Sequence, residues 1–306
     1  MPDRSEIEGV DSVEGQGAGV TAARQARADL HVHTLASDGV SSVEDVLDFA
    51  EHTAHLDLIA IADHERIDAA VAAQRMALAR GLRVQVIVGE EITTRGGHLV
   101  GLFLHERIRP WGSMRDSIAR VHDQGGIAIV AHPLVPYPLC ASERTIRRLF
   151  AEPDLIYHPD AIEAFNPTTA GMRWSRRVPE FVKEMGVAAV ASSDAHRAEA
   201  IGLALTLFPG GQVDDLRAAI SARETLWQGD NYGWRTQLGT FRLQLAKNAR
   251  ALKDEVAGKV LRKGTGRDLG YPGSRRRPVQ RHATADDPPG EPGTRSESDD
   301  EGRAPL

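Results

Sequence analysis

Residues 28–40, ADLHVHTLASDGV, run from a short apolar step into two histidines one residue apart, then an aspartate and a glycine. In a strand, residues i and i+2 point to the same face. His31 and His33 can therefore share one ion, with Asp38 arriving from the loop beyond. Taken alone, a His-x-His step is equally well explained by surface histidines at a polar strand end, so the rest of the chain must separate the two readings.

Downstream, apolar runs alternate with helical patterns. Strands are predicted at 28–33, 56–62, 84–92, 98–104, 126–131, 161–165, 187–191 and 202–208. Helices are predicted at 42–54, 66–80, 112–124, 143–151, 174–185 and 213–222. Ser42 before Val43 has the chemistry of a helix N-cap, with Glu44 and Asp45 favouring the positive end of the dipole. Nearly continuous apolar strands between helices imply an α/β fold with a parallel sheet covered by helices. The number of strand–helix repeats within 28–228 favours a closed barrel over an open sheet.

In parallel α/β folds, chemistry collects at the carboxyl ends of the strands. Nearly every strand here ends in a residue type that binds metals: His31 and His33, then Asp63 and His64, then Glu90 and Glu91. His98 follows the RGG turn, His132 follows GIAIVA, Glu163 and Asn166 close the next strand, and Asp194 and His196 the one after. A single buried histidine is more often a satisfied core residue than a ligand. Six histidines with several acids at one end of successive strands are different, because desolvating so many ionisable groups is prohibitive without cations to pair them. Imidazole mixed with carboxylate and no thiolate suits Zn²⁺, Mn²⁺ or Fe²⁺. So many ligand candidates exceed one tetrahedral site, which implies two or three divalent ions sharing a bridging carboxylate.

Composition sets the outer limits. The 306 residues are 41% hydrophobic and 26% charged, ordinary for a globular chain, and a formal net charge of −6 argues against generic polyanion binding. The lone Cys140 excludes an internal disulfide and a cysteine-rich zinc module. Residues 1–27 lack the apolar segment of a signal peptide, and no stretch has the length of a membrane span, so a cytoplasmic location is expected. Residues 1–27 and 264–306 are rich in Gly, Pro, Ser and charge, and disorder is expected for both. Residues 229–263 form a separate segment. Within it, Phe241, Leu245, Asn248, Leu252, Val256 and Val260 give 235–263 helical spacing, suited to packing on the barrel, to self-association or to an acidic surface.

Jointly, HxHTxxSDG at 31–39, DH at 63–64, GxE at 89–91, GGH at 96–98, AHP at 131–133 and SDAH at 193–196 resemble the polymerase and histidinol phosphatase (PHP) family of metal-dependent phosphoesterases. The resemblance covers residues 28–208. It implies a distorted seven-stranded (β/α) barrel with a trinuclear centre. By motif position, His31, His33, Glu91 and Asp194 hold one ion; Glu91 bridges to a second held by His98 and His132; Asp38, His64 and His196 hold the third. Strand alternation sends Glu90 to the opposite face. Asp63 is expected behind the ligands, orienting an imidazole, with Glu163 and Asn166 supporting or facing the pocket. The aspartate at position 38 resembles the compact branch acting on nucleotide or short oligonucleotide phosphates more than the histidinol phosphatases. The 33 residues between His98 and His132 leave no room for the small domain inserted in some nucleotide-directed relatives.

No Ser, Cys or Asp nucleophile with a partnering base stands out, so the expected attacking group is a metal-activated water held by the ligand set. Substrate contacts are sought in the loops at 105–115, 134–144 and 166–177, where Trp111, Tyr137 and Trp174 can stack on a base and arginines can grip phosphate. Arg173, Arg176, Arg177 and Arg197 lie nearest in sequence to the site. The leading expectation is hydrolysis of a small phosphomonoester, a nucleotide or short oligonucleotide end. The rivals are a sugar or amino-alcohol phosphatase, a metal-dependent amide or C–N hydrolase, and a non-catalytic module stabilised by metal.

Overall fold

The computed structural model describes residues 13–14, 24–136, 139–169 and 175–230. The expectations for residues 1–12, 15–23 and 231–306, and for Tyr137, Arg173 and Trp174, lie outside the described residues.

The strands are β1 (Val13–Glu14), β2 (Gln25–Val32), β3 (Leu58–Ile61), β4 (Gln85–Thr94), β5 (Gly97–Leu102), β6 (Ile127–Val130), β7 (Ala161–Phe165), β8 (Ala188–Ala191), β9 (Ala204–Pro209) and β10 (Leu226–Gly229). They form one sheet in the order β1-β10-β9-β2-β3-β4-β5-β6-β7-β8. The sheet curls until its edge strand β8 comes against β9 and β10. There Thr206 completes the seam with its side chain, donating Oγ1–H to Ala191 O (2.9 Å) and accepting from Ala191 N (3.1 Å). The result is a nearly closed α/β barrel.

Three differences from the sequence reading have clear causes. The sheet is mixed, not all parallel: β4 and β5 form an antiparallel hairpin, β5 and β6 are also antiparallel, and β9 runs antiparallel to β2. Only Arg95 and Gly96 separate β4 from β5, too few for a parallel crossover. Strand number also exceeds seven, because β10 and the two-residue β1 are too short to give a pattern. Finally, β2 starts at Gln25 inside the segment assigned to the N-terminal tail, since Gln25–Ala28 pairs with Thr206–Pro209. Its only apolar residues there are alanines, which hide the alternation.

Helices α1 (Val43–His52), α2 (Asp68–Arg80), α3 (Met114–His122), α4 (Glu143–Phe150), α5 (Val178–Met185) and α6 (Val213–Ala222) cover the outside. Ser42 caps α1 as expected, its Oγ accepting from Asp45 N at 3.1 Å. Leu30, Ala60, Ile87, Val100, Ile129, Ala161 and Val190 from successive strands fill the barrel interior. Ile59, Ile61, Val86 and Val88 face outward onto Val46, Leu47, Ala70 and Ala73 of α1 and α2.

Candidate metal centre

A bulge aims the first two histidines. β2 pairs with β3 at Asp29–Ile59 and again at Val32–Ile61, so Leu30 and His31 together oppose the single residue Ala60. Such an extra residue interrupts alternation. Leu30 therefore lies in the interior core while His31 and His33 line the space above it, and Asp29 turns outward to accept from Ser193 N (3.0 Å) and Gly202 N (2.9 Å). The hairpin supplies the next pair. Glu91 and Thr93 share a face of β4, and Thr93 pairs with His98 of β5. Because β5 runs backwards, a residue near its start reaches the same mouth as the carboxyl ends of the parallel strands. His64, His132, Asp194 and His196 follow β3, β6 and β8. His132 and Asp194 both have positive φ (29° and 50°), strained values of the kind that gather at functional sites.

Glu91 is the hub. Its Oε1 lies 2.6 Å from His98 Nδ1 and 3.0 Å from His132 Nε2, and its Oε2 lies 3.2 Å from His31 Nε2, His33 Nε2 and His64 Nδ1. Asp194 Oδ1 faces His33 Nε2 (3.3 Å), His196 Nδ1 (3.6 Å) and His31 Nε2 (3.7 Å). Asp38 Oδ2 meets His196 Nε2 at 3.0 Å and His64 Nε2 at 3.8 Å. Three sets bring ligand atoms within 4.8 Å of one another: His31, His33 and Glu91; His64, Glu91 and His98; His33, Asp38, His64 and His196. The structure thus gathers all nine ligand candidates at one mouth, with His33, His64 and Glu91 each belonging to two sets.

The electrostatics show what the pocket lacks. Burial by itself would lower the pKa of His31, but the carboxylates of Glu91, Asp194 and Glu163 outweigh it and hold the imidazole well above its ordinary value. His33 is raised to about 10 against its burial by Asp194, Glu91 and Asp38. His132 is raised likewise, against its burial, by Cys140 and Glu91. Burial would raise Glu91, yet the ring of imidazoles drives it well below the usual carboxylate range. These groups hold their charges only through each other, so positive charge is in demand here. The donor atoms are also arranged for a shared cation. His31 Nε2 and His33 Nε2 lie 3.1 Å apart, and His98 Nδ1 is buried with no hydrogen bond although Glu91 Oε1 is 2.6 Å away. Converging lone pairs of imidazole and carboxylate, without thiolate, fit a divalent ion such as Zn²⁺, Mn²⁺ or Fe²⁺.

Behind the ligand candidates, Glu163 joins three groups. It accepts from His31 Nδ1 (3.0 Å), from the backbone N–H of strained His132 (2.7 Å) and from Asn166 Nδ2 (3.0 Å). Asn166 also donates to Asp194 Oδ2 at 3.4 Å, and Thr168, which sequence reasoning missed, donates to the same oxygen at 3.1 Å. Cys140, also missed as a site residue, has its Sγ 3.5 Å from His132 Nδ1. Asp63 corrects its expectation. It orients no imidazole but clamps the loop that carries Asp38, accepting from Thr34 N (2.8 Å), Thr34 Oγ1 (2.7 Å) and Ser37 Oγ. The Thr and Ser of HxHTxxSDG are the signal for this clamp. Glu90 faces away, as alternation requires, and is buried with Oε2 accepting from Ile108 N at 2.7 Å.

The arginines fare less well. Arg177 is tied to Glu143, Glu180 and Glu184, which removes it as a phosphate ligand; Glu143 is distant in sequence, whereas Glu180 and Glu184 lie one and two helical turns along α5. Arg197 pairs with Glu199 at 3.0 Å, and Arg176 is exposed in a short helical turn.

Residues 173–225 match the family model described as PHP-associated. An uncharacterized protein of Methanocaldococcus jannaschii is 32% identical over 151 residues, 46% of this chain and 81% of the relative. A second uncharacterized protein of that organism is 27% identical over 124 residues, 40% of this chain, and the matched part spans about half (51%) of that relative. Among solved structures, a two-domain protein of Bacteroides vulgatus containing a predicted PHP-like metal-dependent phosphoesterase shares the fold with a TM-score of 0.56 and 18% identity, over 78% of this chain and 74% of that one. PsfC of Pseudomonas syringae does so with a TM-score of 0.50 and 18% identity, over 75% of this chain and 98% of that one. No helix among the described residues is long and apolar enough to cross a membrane. The nearly closed barrel, the ligand motifs in order around its mouth and these matches lead to one conclusion: the chain belongs to the PHP family.

Proposed function

We propose that this protein is a metal-dependent phosphoesterase that releases phosphate from a small phosphomonoester, a nucleotide or the end of a short oligonucleotide. The observation that carries the reading is the hub: one buried carboxylate, Glu91, touched by the imidazoles of His31, His33, His64, His98 and His132. In this reading His31, His33, Glu91 and Asp194 hold one divalent ion, Glu91, His98 and His132 a second, and Asp38, His64 and His196 a third. Ions so held acidify water and neutralise phosphoryl oxygens, which makes a protein nucleophile unnecessary.

The chain's own residues keep this geometry fixed. Glu163 accepts a hydrogen bond from His31 Nδ1–H and leaves Nε2 free to ligate. Asn166 and Thr168 fix the second oxygen of Asp194 and leave Oδ1 toward the imidazoles. Asp63 sets the loop of Asp38.

The test is phosphate release from sugar phosphates, mononucleotides and short oligonucleotides by protein stripped of metal and reloaded with Mn²⁺ or Zn²⁺. Turnover that appears on reloading supports the reading. Failure of every phosphate ester beside turnover of amide substrates would replace it with the C–N hydrolase, and metal binding without any turnover with the structural module.

A further inference from the structure

Trp111 is 62% exposed and has φ of 62°. A bulky side chain in left-handed backbone is a costly arrangement, and an indole left in water gains nothing from burial to offset it. Its position explains the cost. Thr93 and His98 face each other across the hairpin with their main-chain groups turned away from one another, as in a non-hydrogen-bonded pair. On the β4 edge, Thr93 O accepts from Trp111 N (2.7 Å) while Thr93 N donates to Glu65 Oε1 (2.9 Å). On the β5 edge, His98 N donates to Leu139 O (2.8 Å). Leu139 is also exposed (38%) and also left-handed, with φ of 72°. The Thr93 hydroxyl lies 3.4 Å from His98 Nε2. One hairpin rung therefore carries a metal-ligand candidate, and the backbones of two strained residues with exposed apolar side chains are hydrogen-bonded to its two edges. A second backbone bond, Arg95 N to Gly112 O (2.9 Å), pins the loop beside Trp111.

We infer that Trp111 is the stacking platform for the base of a nucleotide substrate, with Leu139 bounding the rim across the hairpin. This rests on the phosphoesterase reading and adds to it the part of the substrate that is not phosphate. An indole whose main chain is tied to the rung of His98 offers an aromatic base a flat partner and offers a bare sugar phosphate none. Stacking is indifferent to base identity, so the platform selects nucleosides over sugars without selecting among bases.

The experiment measures binding of phosphonate analogues of adenosine 5′-monophosphate and of ribose 5-phosphate to Mn²⁺-loaded protein, for the wild type, Trp111→Ala and Trp111→Phe. The expected result is about tenfold tighter binding of the nucleoside analogue. Trp111→Ala should lose that preference and Trp111→Phe retain most of it, with ribose 5-phosphate analogue affinity unchanged in all three. Equal affinity for the two analogues, or a preference that survives Trp111→Ala, overturns the platform while leaving hydrolysis of phosphate esters standing. If no phosphate ester is hydrolysed at all, the phosphoesterase reading falls instead, whatever the analogues do.

Discussion

Glu163 Oε1 lies 3.0 Å from His31 Nδ1, and the same carboxylate's other oxygen lies 2.7 Å from the backbone nitrogen of His132. One buried side chain thus fixes a ring on β2 and the main chain after β6, on two elements that carry separate ligands.

Replacing Glu163 by Gln keeps the shape and removes the charge. Divalent-ion affinity is expected to fall about 10- to 100-fold, the usual effect of losing a carboxylate behind a ligating histidine. Competition with a chromogenic chelator measures it, and unchanged affinity would mean that His31 is not held for a metal.

Asp194→Ala removes a carboxylate that faces three imidazoles. Turnover is expected to drop more than about 100-fold, beyond what loss of a supporting group costs, with the fold retained by far-ultraviolet circular dichroism. Global unfolding would show instead that the cluster is structural.

Ion binding should release protons. Without a cation, His33 sits near 10 and is doubly protonated near neutral pH, and the carboxylates around His31 and His132 favour their charged forms against burial. Metal ligands must be deprotonated. Calorimetric titration with Mn²⁺ in buffers of different ionisation enthalpy should therefore report net proton release. Buffer-independent heats would contradict this.

A second pH effect lies away from the mouth. His122 Nε2 is 2.9 Å from Asp160 Oδ2 and Nδ1 is 2.8 Å from Ile156 O. Both partners only accept, so they favour the doubly protonated ring. The bond to Asp160 raises its pKa, with burial opposing. A raised histidine contributes stability that is complete below its unfolded pKa, near 6.5, and is lost as pH rises through the folded value. With Asp160 about one-third exposed (35%), solvent screening limits the contribution to about 1 kcal/mol or less. The thermal midpoint of Asp160→Asn should lie furthest below that of the wild type near pH ~6, and the gap should narrow by about 2–4 °C as pH rises. The part that remains is the pH-independent weakening of the bond that Ala128 N donates (2.7 Å), whose acceptor becomes a neutral amide oxygen.

Gly97 turns the hairpin with φ of 129°, and a Cβ there would meet Ala141 N at 2.6 Å. Gly97→Ala is expected to cost about 3 kcal/mol or more, since neither backbone can yield cheaply. Urea unfolding measures it. A loss of metal affinity should accompany it, because the residue next in the chain is His98.

Most of the ligand candidates are legible in the sequence because they follow strand ends, where ionisable groups cannot crowd without a reason. The Gly-x-Glu spacing of the resembled family singled out Glu91 over Glu90, and strand alternation then placed Glu90 on the other face. What stayed hidden depends on contacts between distant segments. Arg177 looks free until α4 brings Glu143 to it, and Asp63 looks like an imidazole partner until the Thr34–Asp38 loop folds back over it. Trp111 is visible as an aromatic in a loop, but its left-handed backbone and its tie to Thr93 are properties of the folded hairpin alone.

The doubled step at Leu30 and His31 makes chain length in β2 as binding as side-chain identity. Remove one residue upstream of the imidazoles and plain alternation returns, turning either the aliphatic floor of the barrel or both rings toward the helices. A survey of substitutions across 28–33 would miss this constraint, whereas a single-codon deletion would expose it at once.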